Sequence, residues 1–214
     1  MAPEVARELV VAADVAGAAL ERFVSIRPRT IALAGGGTPR ALYERLAGID
    51  YPWGDAEVFF GDERCVPPTH PDSNYRMANE ALLSKIDGRV HAMPGGACDA
   101  AAYEREIESV LGPGLPRFDL VLLGLGEDGH TASLFPGDPA LDVVDRNVLR
   151  VERPDHARLT LTLPVLSAAK VALFLVSGAS KRAALASLMA GEDIPAARVR
   201  ADEVVVVADR DAAG

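Results

Sequence analysis

The segment Phe118–Gly137, FDLVLLGLGEDGHTASLFPG, decides the fold. Leu120, Val121, Leu122, Leu123 and Leu125 form an almost unbroken apolar run. A strand carries such a run where both of its faces are covered, as in a parallel α/β sheet. The chemistry then changes within a few residues. Gly124, Gly126 and Gly129 interrupt the side-chain rows, and Glu127, Asp128 and His130 arrive together. Open α/β sheets bind ligands beyond the carboxyl ends of their strands, and glycines there let the backbone turn tightly and approach a ligand. A polar loop with a solvated histidine would carry the same three residues. The buried strand before them and the flanking glycines favour a functional site.

Working outward, the same arrangement recurs. Thr30–Ala34, TIALA, runs as a strand into Gly35-Gly36-Gly37-Thr38-Pro39 and then a helix, RALYERLAG. Pro39 suits the first helical position and Thr38 the N-cap. Backbone N–H groups of the glycines and the helix N-terminus together make a cradle for an anion, phosphate above all. No Gly-Lys-Ser/Thr follows, so this is not a Walker A loop. Arg40 stands where a dinucleotide fingerprint has its third glycine. A tight strand-to-helix turn is the plain alternative, but three glycines exceed what a turn needs. Glu57–Gly61, EVFFG, is a further strand that stops at Asp62, Glu63 and Arg64. A guanidinium such as that of Arg64 can fork onto a phosphate or carboxylate, or simply pair with a neighbouring acid. A Pro-rich loop, residues 66–71, leads to Asp72-Ser73-Asn74, which opens a helix through Lys85. Val171–Val176 is another buried strand, followed by Ser177–Lys181 and a helix, KRAALASLMAG. Lys181 is a second candidate cation for a phosphate, with a solvated helix-start lysine as its alternative.

The remaining segments read as scaffold. Residues 4–24 carry Val5, Leu9, Ala12, Ala16, Ala19, Leu20 and Phe23 at helical spacing. Residues 90–93 form a short strand and 100–111 a surface helix. Residues 149–151, 159–163 and 203–208 form further strands, of which 158–162 alternates as a half-exposed strand does. There is no repeat, linker or low-complexity stretch, and 214 residues are enough for one core. The expectation is a single α/β domain over residues 1–214: a mostly parallel open sheet with helices on both faces.

Composition narrows the function. Hydrophobic residues make up 49% of the chain, so it folds rather than staying disordered. A formal net charge of −9 excludes a general nucleic-acid or anionic-membrane binder, which needs a basic face. An anionic small molecule is still accessible through a few local cations. Cys65 and Cys98 are too few for a disulfide framework; they are read as free, inert thiols of a reducing cytosol. No apolar segment spans a bilayer. The start, MAPEVARELV, lacks the cationic region and apolar core of a secretory signal. A cytoplasmic location is therefore expected.

If the four strands run parallel, their carboxyl ends meet on one edge. An anion cradle, two cations, carboxylates and one histidine then share one pocket, which suits a phosphorylated small molecule acted on by acid–base chemistry. His130 is the natural general base, because imidazole titrates near neutrality. No His/Cys cluster has metal-ligand spacing along the sequence, so no metal is expected. There is no G-x-S-x-G nucleophile elbow.

GGGTPRALYERL, FFGDERCVPPTHPDSNYRMANEALL and LGLGEDGHTASLFPG together resemble the 6-phosphogluconolactonase family, part of a larger group with glucosamine-6-phosphate deaminase/isomerases. The likeness covers nearly the whole chain in order. It implies an α/β sheet with helices on both sides, hydrolysis of 6-phosphogluconolactone in the oxidative pentose phosphate pathway, and no metal or organic cofactor. It implies that His130 is the catalytic base, with Gly36, Gly37 and Thr38 in the phosphate loop and Arg64 and Lys181 at the substrate phosphate. Arg158 matches a recurrent arginine of the family's R-x-T strand. Gly37 departs from the family, where many relatives have serine. Asp128 is expected to shape the loop or orient a substrate hydroxyl rather than to complete a triad. Asp62 and Glu63 remain pocket candidates. The sister deaminase/isomerases resemble this chain at Asp62 and at Asp128-Gly129-His130, but carry a glutamate five residues after the histidine, where this chain has Phe135. That difference favours the lactonase over the deaminase. A non-catalytic sugar-phosphate sensor is the third possibility, disfavoured by the presence of His130 and the absence of a basic helix-turn-helix segment. A monomer is expected.

Overall fold

The structure, a computed structural model, describes residues 6–214. Its frame is a seven-stranded sheet of β1 (Arg7–Val11), β2 (Thr30–Leu33), β3 (Glu57–Phe60), β5 (Arg89–Val90), β6 (Leu120–Leu123), β9 (Val171–Val176) and β10 (Glu203–Ala208). They lie in the order β1-β10-β9-β6-β2-β3-β5, and every neighbouring pair is parallel. β6 sits at the centre with all four residues buried, and all six residues of β9 are buried as well. Each large apolar side chain so enclosed is worth about 1.5–3 kcal/mol over exposure, which holds the sheet as one core.

The crossovers place the helices. β1 leads through α1 (Val15–Ile26) to β2, and β2 leads through α2 (Gly37–Leu46) to β3, both toward one edge of the sheet. β5 leads through α4 (Ala100–Leu111) to β6, and β9 through α6 (Arg182–Ala190) to β10, both toward the other edge. Parallel crossovers are right-handed, so α1 and α2 cover one face and α4 and α6 the opposite one. Accordingly α1 packs on α2, α2 on α3 (Asn74–Ala81), and α6 on the terminal turn α7 (Arg210–Ala213). The direction in which successive strands are added reverses between the adjacent parallel strands β2 and β6. This is the switch point at which such sheets open a crevice.

A second sheet stands beyond the carboxyl edge. β4 (Asp62–Arg64), β7 (Val148–Val151) and β8 (Arg158–Leu161) pair antiparallel in the order β4-β8-β7, before the short helix α5 (Leu163–Ser167). Gly61 joins the two sheets. Its N–H donates to Leu33 O at 2.8 Å and its carbonyl accepts from Leu161 N at 2.8 Å.

Four expectations are corrected. Residues 7–11 are a strand, not the first turns of a helix, while Val5 lies outside the described residues. β1 hydrogen-bonds along β10, whose apolar edge would otherwise be unpaired. Asp14 then caps Gly17 N at 3.0 Å and starts the helix afresh at Val15. At α2 the cap is Gly36, held at φ 107°, a left-handed backbone that glycine adopts without strain; Thr38 and Pro39 lie inside the first turn. The helix opened by Ser73 ends at Ala81 and passes through Leu82 into a separate 3-10 turn, Leu83–Lys85. Finally, Cys65 and Cys98 are not free thiols. They form a disulfide with Cα atoms 5.1 Å apart, which ties the end of β4 to the loop before α4. The cysteines therefore no longer argue for a reducing compartment.

Candidate active site

The crevice at the switch point is a cleft of about 280 Å3. Gly36, Gly37 and Thr38 line it from the end of β2, and His130 from the loop after β6. Asp62 and Arg64 reach it from β4, Arg158 from β8, and Lys181 from the turn after β9. Five strands far apart in the chain thus meet at one cleft.

The GEDGH segment is a closed turn. Gly126 N donates to His130 O at 2.8 Å and Gly129 N to Gly126 O at 3.0 Å. Gly129 takes φ 83°, and a β-carbon there would collide with Ile194. Within this turn Asp128, expected to shape the loop or orient a substrate hydroxyl, has a definite partner. Its Oδ1 lies 2.6 Å from His130 Nδ1 and accepts the His130 N–H at 3.1 Å. Burial alone would raise the Asp128 carboxyl, but the hydrogen bonds and charge of His130 bring it below its ordinary value. A carboxylate on Nδ1 favours the tautomer with Nε2 unprotonated. Phe135 packs its ring against His130 at a centroid distance of 4.5 Å, and the Arg153 guanidinium covers Phe135 at 3.8 Å.

One wall of the cleft is cationic. Arg64 and Arg158 are direct partners in the β4–β8 ladder. Like charges so opposed destabilise a sheet by a fraction of a kcal/mol, and the Nε groups of both are buried without a hydrogen-bond partner. Arg64 Nη1 is held by Asp72 O at 2.7 Å and Asn74 Oδ1 at 3.1 Å; Arg158 Nη2 pairs with Asp155 at 2.7 Å. Lys181 has no ion pair among the described residues. With the N-terminus of α2 facing the same space, this wall is suited to a dianion such as a phosphate monoester.

Two residues that sequence reasoning did not single out organise this wall. Asn74, read only as a helix opener, lines the cleft and bridges Arg64 to Asp62, its Nδ2 donating to Asp62 O at 2.9 Å. It also explains Gly35, where a β-carbon would lie 2.8 Å from Asn74 Nδ2 and closer still to its Oδ1. Ser133 donates to Asp62 Oδ2 at 2.7 Å and so locks the histidine loop to β4. Gly37, by contrast, has open space where a β-carbon would stand. The surplus glycine in the run was the one available signal for Asn74.

Glu63 does not belong to the cleft. It is 2% exposed, and its two oxygens accept from the N–H groups of Arg64, Asn74 and Tyr75 and from Ser73 Oγ, at 2.7–2.9 Å. Burial pushes its carboxyl up, while these four bonds pull against that shift. Side chains alternate along a strand, so Asp62 and Arg64 face the cleft and Glu63 turns to the N-terminus of α3. There its charge complements the helix dipole.

Among the described residues one group of His, Cys, Asp and Glu side chains is close enough to share a metal ion: His70, Asp72 and His156, outside the cleft lining. No helix is long and apolar enough to cross a membrane among the described residues.

Comparison with known proteins identifies the family and the fold. The family described as glucosamine-6-phosphate isomerases/6-phosphogluconolactonase matches residues 3–207. The chain is 48% identical to a 6-phosphogluconolactonase of Synechocystis over 176 residues, 78% of this chain and 73% of that protein. It is 38% identical to the Mycobacterium tuberculosis 6-phosphogluconolactonase over 205 residues, 86% of this chain and 83% of the other. The Trypanosoma cruzi 6-phosphogluconolactonase structure superposes with a TM-score of 0.87 at 30% identity, covering 99% of this chain and 97% of that one. A monomeric glucosamine-6-phosphate deaminase superposes with a TM-score of 0.81 at 23% identity over 97% and 98% of the two chains, a likeness of fold alone.

Proposed function

Since the chain belongs to the glucosamine-6-phosphate isomerase/6-phosphogluconolactonase family, we propose that it hydrolyses 6-phospho-D-glucono-1,5-lactone to 6-phospho-D-gluconate in the oxidative pentose phosphate pathway. The observation that carries this reading is one cleft lined both by a carboxylate-oriented imidazole and by Arg64, Arg158, Lys181 and a helix N-terminus. The phosphate binds the cationic wall and the lactone carbonyl lies toward His130. His130 Nε2 takes a proton from water as the oxygen attacks the carbonyl carbon. The tetrahedral intermediate expels the ring oxygen, which recovers the proton from the imidazolium, and the new carboxylic acid ionises. Asp128 stabilises the imidazolium in between. General-base assistance of this kind is typically worth ~10²–10⁴-fold. The phosphate wall supplies positioning.

Phe135 supports the lactonase over the deaminase. It stacks on His130 at the position where the sister enzymes carry a glutamate, and a phenyl ring has no proton to transfer. The chain acts as one domain, because both halves contribute to the cleft, and as a monomer.

The test is pH-stat acid release from freshly made lactone, corrected for spontaneous hydrolysis. A rate far above background that drops by at least ~10²-fold in His130→Asn, with binding of 6-phosphogluconate retained, supports the assignment. Equal turnover by the variant would remove His130 as the base, and no acceleration by the unmodified chain would remove the lactonase.

A further inference from the structure

His70, Asp72 and His156 converge at the rim, although they lie on different loops. His70 and Asp72 belong to the Pro-rich loop after β4, and His156 to the loop that enters β8. His156 Nε2 lies 3.1 Å from Asp72 Oδ2, and His70 Nδ1 lies 3.8 Å from the same oxygen. All three ligand atoms fall within 4.8 Å of one another, and the two rings meet edge to face at 5.5 Å. We propose that His70, Asp72 and His156 bind a divalent transition-metal ion of the zinc or nickel class, which ties together the two loops flanking the arginine pair.

The geometry needs little adjustment. Ligand atoms about 2.0–2.2 Å from one tetrahedral zinc stand roughly 3.3–3.6 Å apart; the two spacings to Asp72, 3.1 and 3.8 Å, bracket that range, and the two histidine nitrogens lie within 4.8 Å of each other. The loop is already held in place. Asp72 O anchors Arg64 Nη1 at 2.7 Å, while Asp72 N donates to His70 Nδ1 at 3.2 Å, so that nitrogen is unprotonated and its lone pair exchanges this hydrogen bond for the metal. Two imidazoles and one carboxylate suit zinc, nickel or cobalt, and are poor for magnesium or calcium, which take oxygen ligands. The cluster is accessible, with side-chain exposures of 37% for His70, 55% for Asp72 and 30% for His156. An ion can enter and keep water in the remaining position. His91 makes the contrast clear. Its two nitrogens are taken by Glu57 at 2.7 Å and Glu106 at 2.6 Å, on opposite sides of the ring, so these groups do not converge.

The experiment is calorimetric titration of the tag-free, EDTA-treated and dialysed chain with zinc chloride, then nickel and magnesium chloride. The expected result is one zinc or nickel ion per chain, no saturable magnesium binding, and affinity reduced at least ~10-fold in His70→Ala, in His156→Ala and in Asp72→Asn. At a hundredfold excess of zinc over Kd, Tm of the unmodified chain should rise by about 5–10 °C. That rise should be absent from the double variant His70→Ala/His156→Ala, whose Tm in EDTA reports that it is folded. Cobalt(II) added to the unmodified chain should give visible absorption of a tetrahedral site, a readout needing no variant. Absence of saturable zinc binding overturns the proposal. So does unchanged affinity in the double variant, which would put the ion elsewhere on the chain.

Discussion

Adding one methyl group at Gly126 tests the central claim about the site. The backbone of Gly126 is not in the left-handed region, so Ala is allowed there without strain. What it meets is the Asp128–His130 pair. A β-carbon at Gly126 would lie 2.6 Å from Asp128 Oδ1 and closer still to Nδ1 and Cε1 of His130. Ordinary carbon contacts stand at about 3.5–4.0 Å, so the imidazole and carboxylate must retreat by about 1 Å or more. Misplacement of that size costs roughly 10²-fold in rate, or about 2.7 kcal/mol of barrier. Gly126→Ala should therefore lower kcat for lactone hydrolysis by about 10²-fold. KM should change by less than about threefold, because the cationic wall is untouched. Tm should move little, since the displaced groups are half-exposed. The assay is pH-stat kinetics together with proton NMR of the Nδ1–H, whose downfield resonance should be lost with the 2.6 Å contact. A variant with unmodified kcat and an unmodified Nδ1–H resonance would refute the reasoning, because the pair would then not occupy the position from which the collision is derived.

Three further outcomes are expected. Arg158→Met should raise KM by about 10–100-fold through the loss of a charge-assisted contact to phosphate worth ~1.5–3 kcal/mol. Its Tm should be unchanged or slightly higher, since the opposed Arg64–Arg158 pair is relieved; a fall in kcat with KM unchanged would place Arg158 elsewhere. Glu63→Gln should destabilise the fold by about 1–3 kcal/mol, read from urea unfolding. Each carboxylate oxygen takes two donors, Arg64 N and Asn74 N at Oε1 and Ser73 Oγ and Tyr75 N at Oε2, and an amide nitrogen in either place cannot accept its pair; undiminished stability would contradict this. Acid should weaken the fold. For Glu104, Asp119 and Asp128 burial opposes the charge, but hydrogen bonds and cations hold each carboxyl below its ordinary value; for Glu57 the Arg89 bond leads. Groups depressed in the folded state contribute fully above their unfolded values and lose that contribution as pH falls through the folded ones. Glu63, which burial raises, works in the opposite sense. The urea midpoint should thus fall between pH 5 and pH 3, and a midpoint constant over that window would show that these carboxylates are not differentially bound.

The sequence by itself determined the sheet and the chemistry at its edge. β6, β9 and β10 are apolar runs too continuous for anything but buried strands, and the residues that follow β2, β6 and β9 are glycines, charges and a histidine. Such signals are local, because side-chain periodicity and residue type are properties of neighbouring positions. The failures were also local in origin. In residues 7–11 Leu9 continues a stripe that fits a helix, and only the unpaired edge of β10 makes that segment a strand. The three residues of β4 have no apolar pattern to announce a strand. Tertiary structure alone therefore decided that Arg64 faces Arg158 across a ladder, that Glu63 turns away to the N-terminus of α3, and that Asn74 fills the space left by Gly35. It also decided the Asp128 contact to His130 Nδ1, the Cys65–Cys98 bridge and the meeting of His70 and Asp72 with His156. Most of these join segments distant along the chain. Their geometry is set by strand register, loop closure and side-chain rotamers, and no local pattern of residues encodes them.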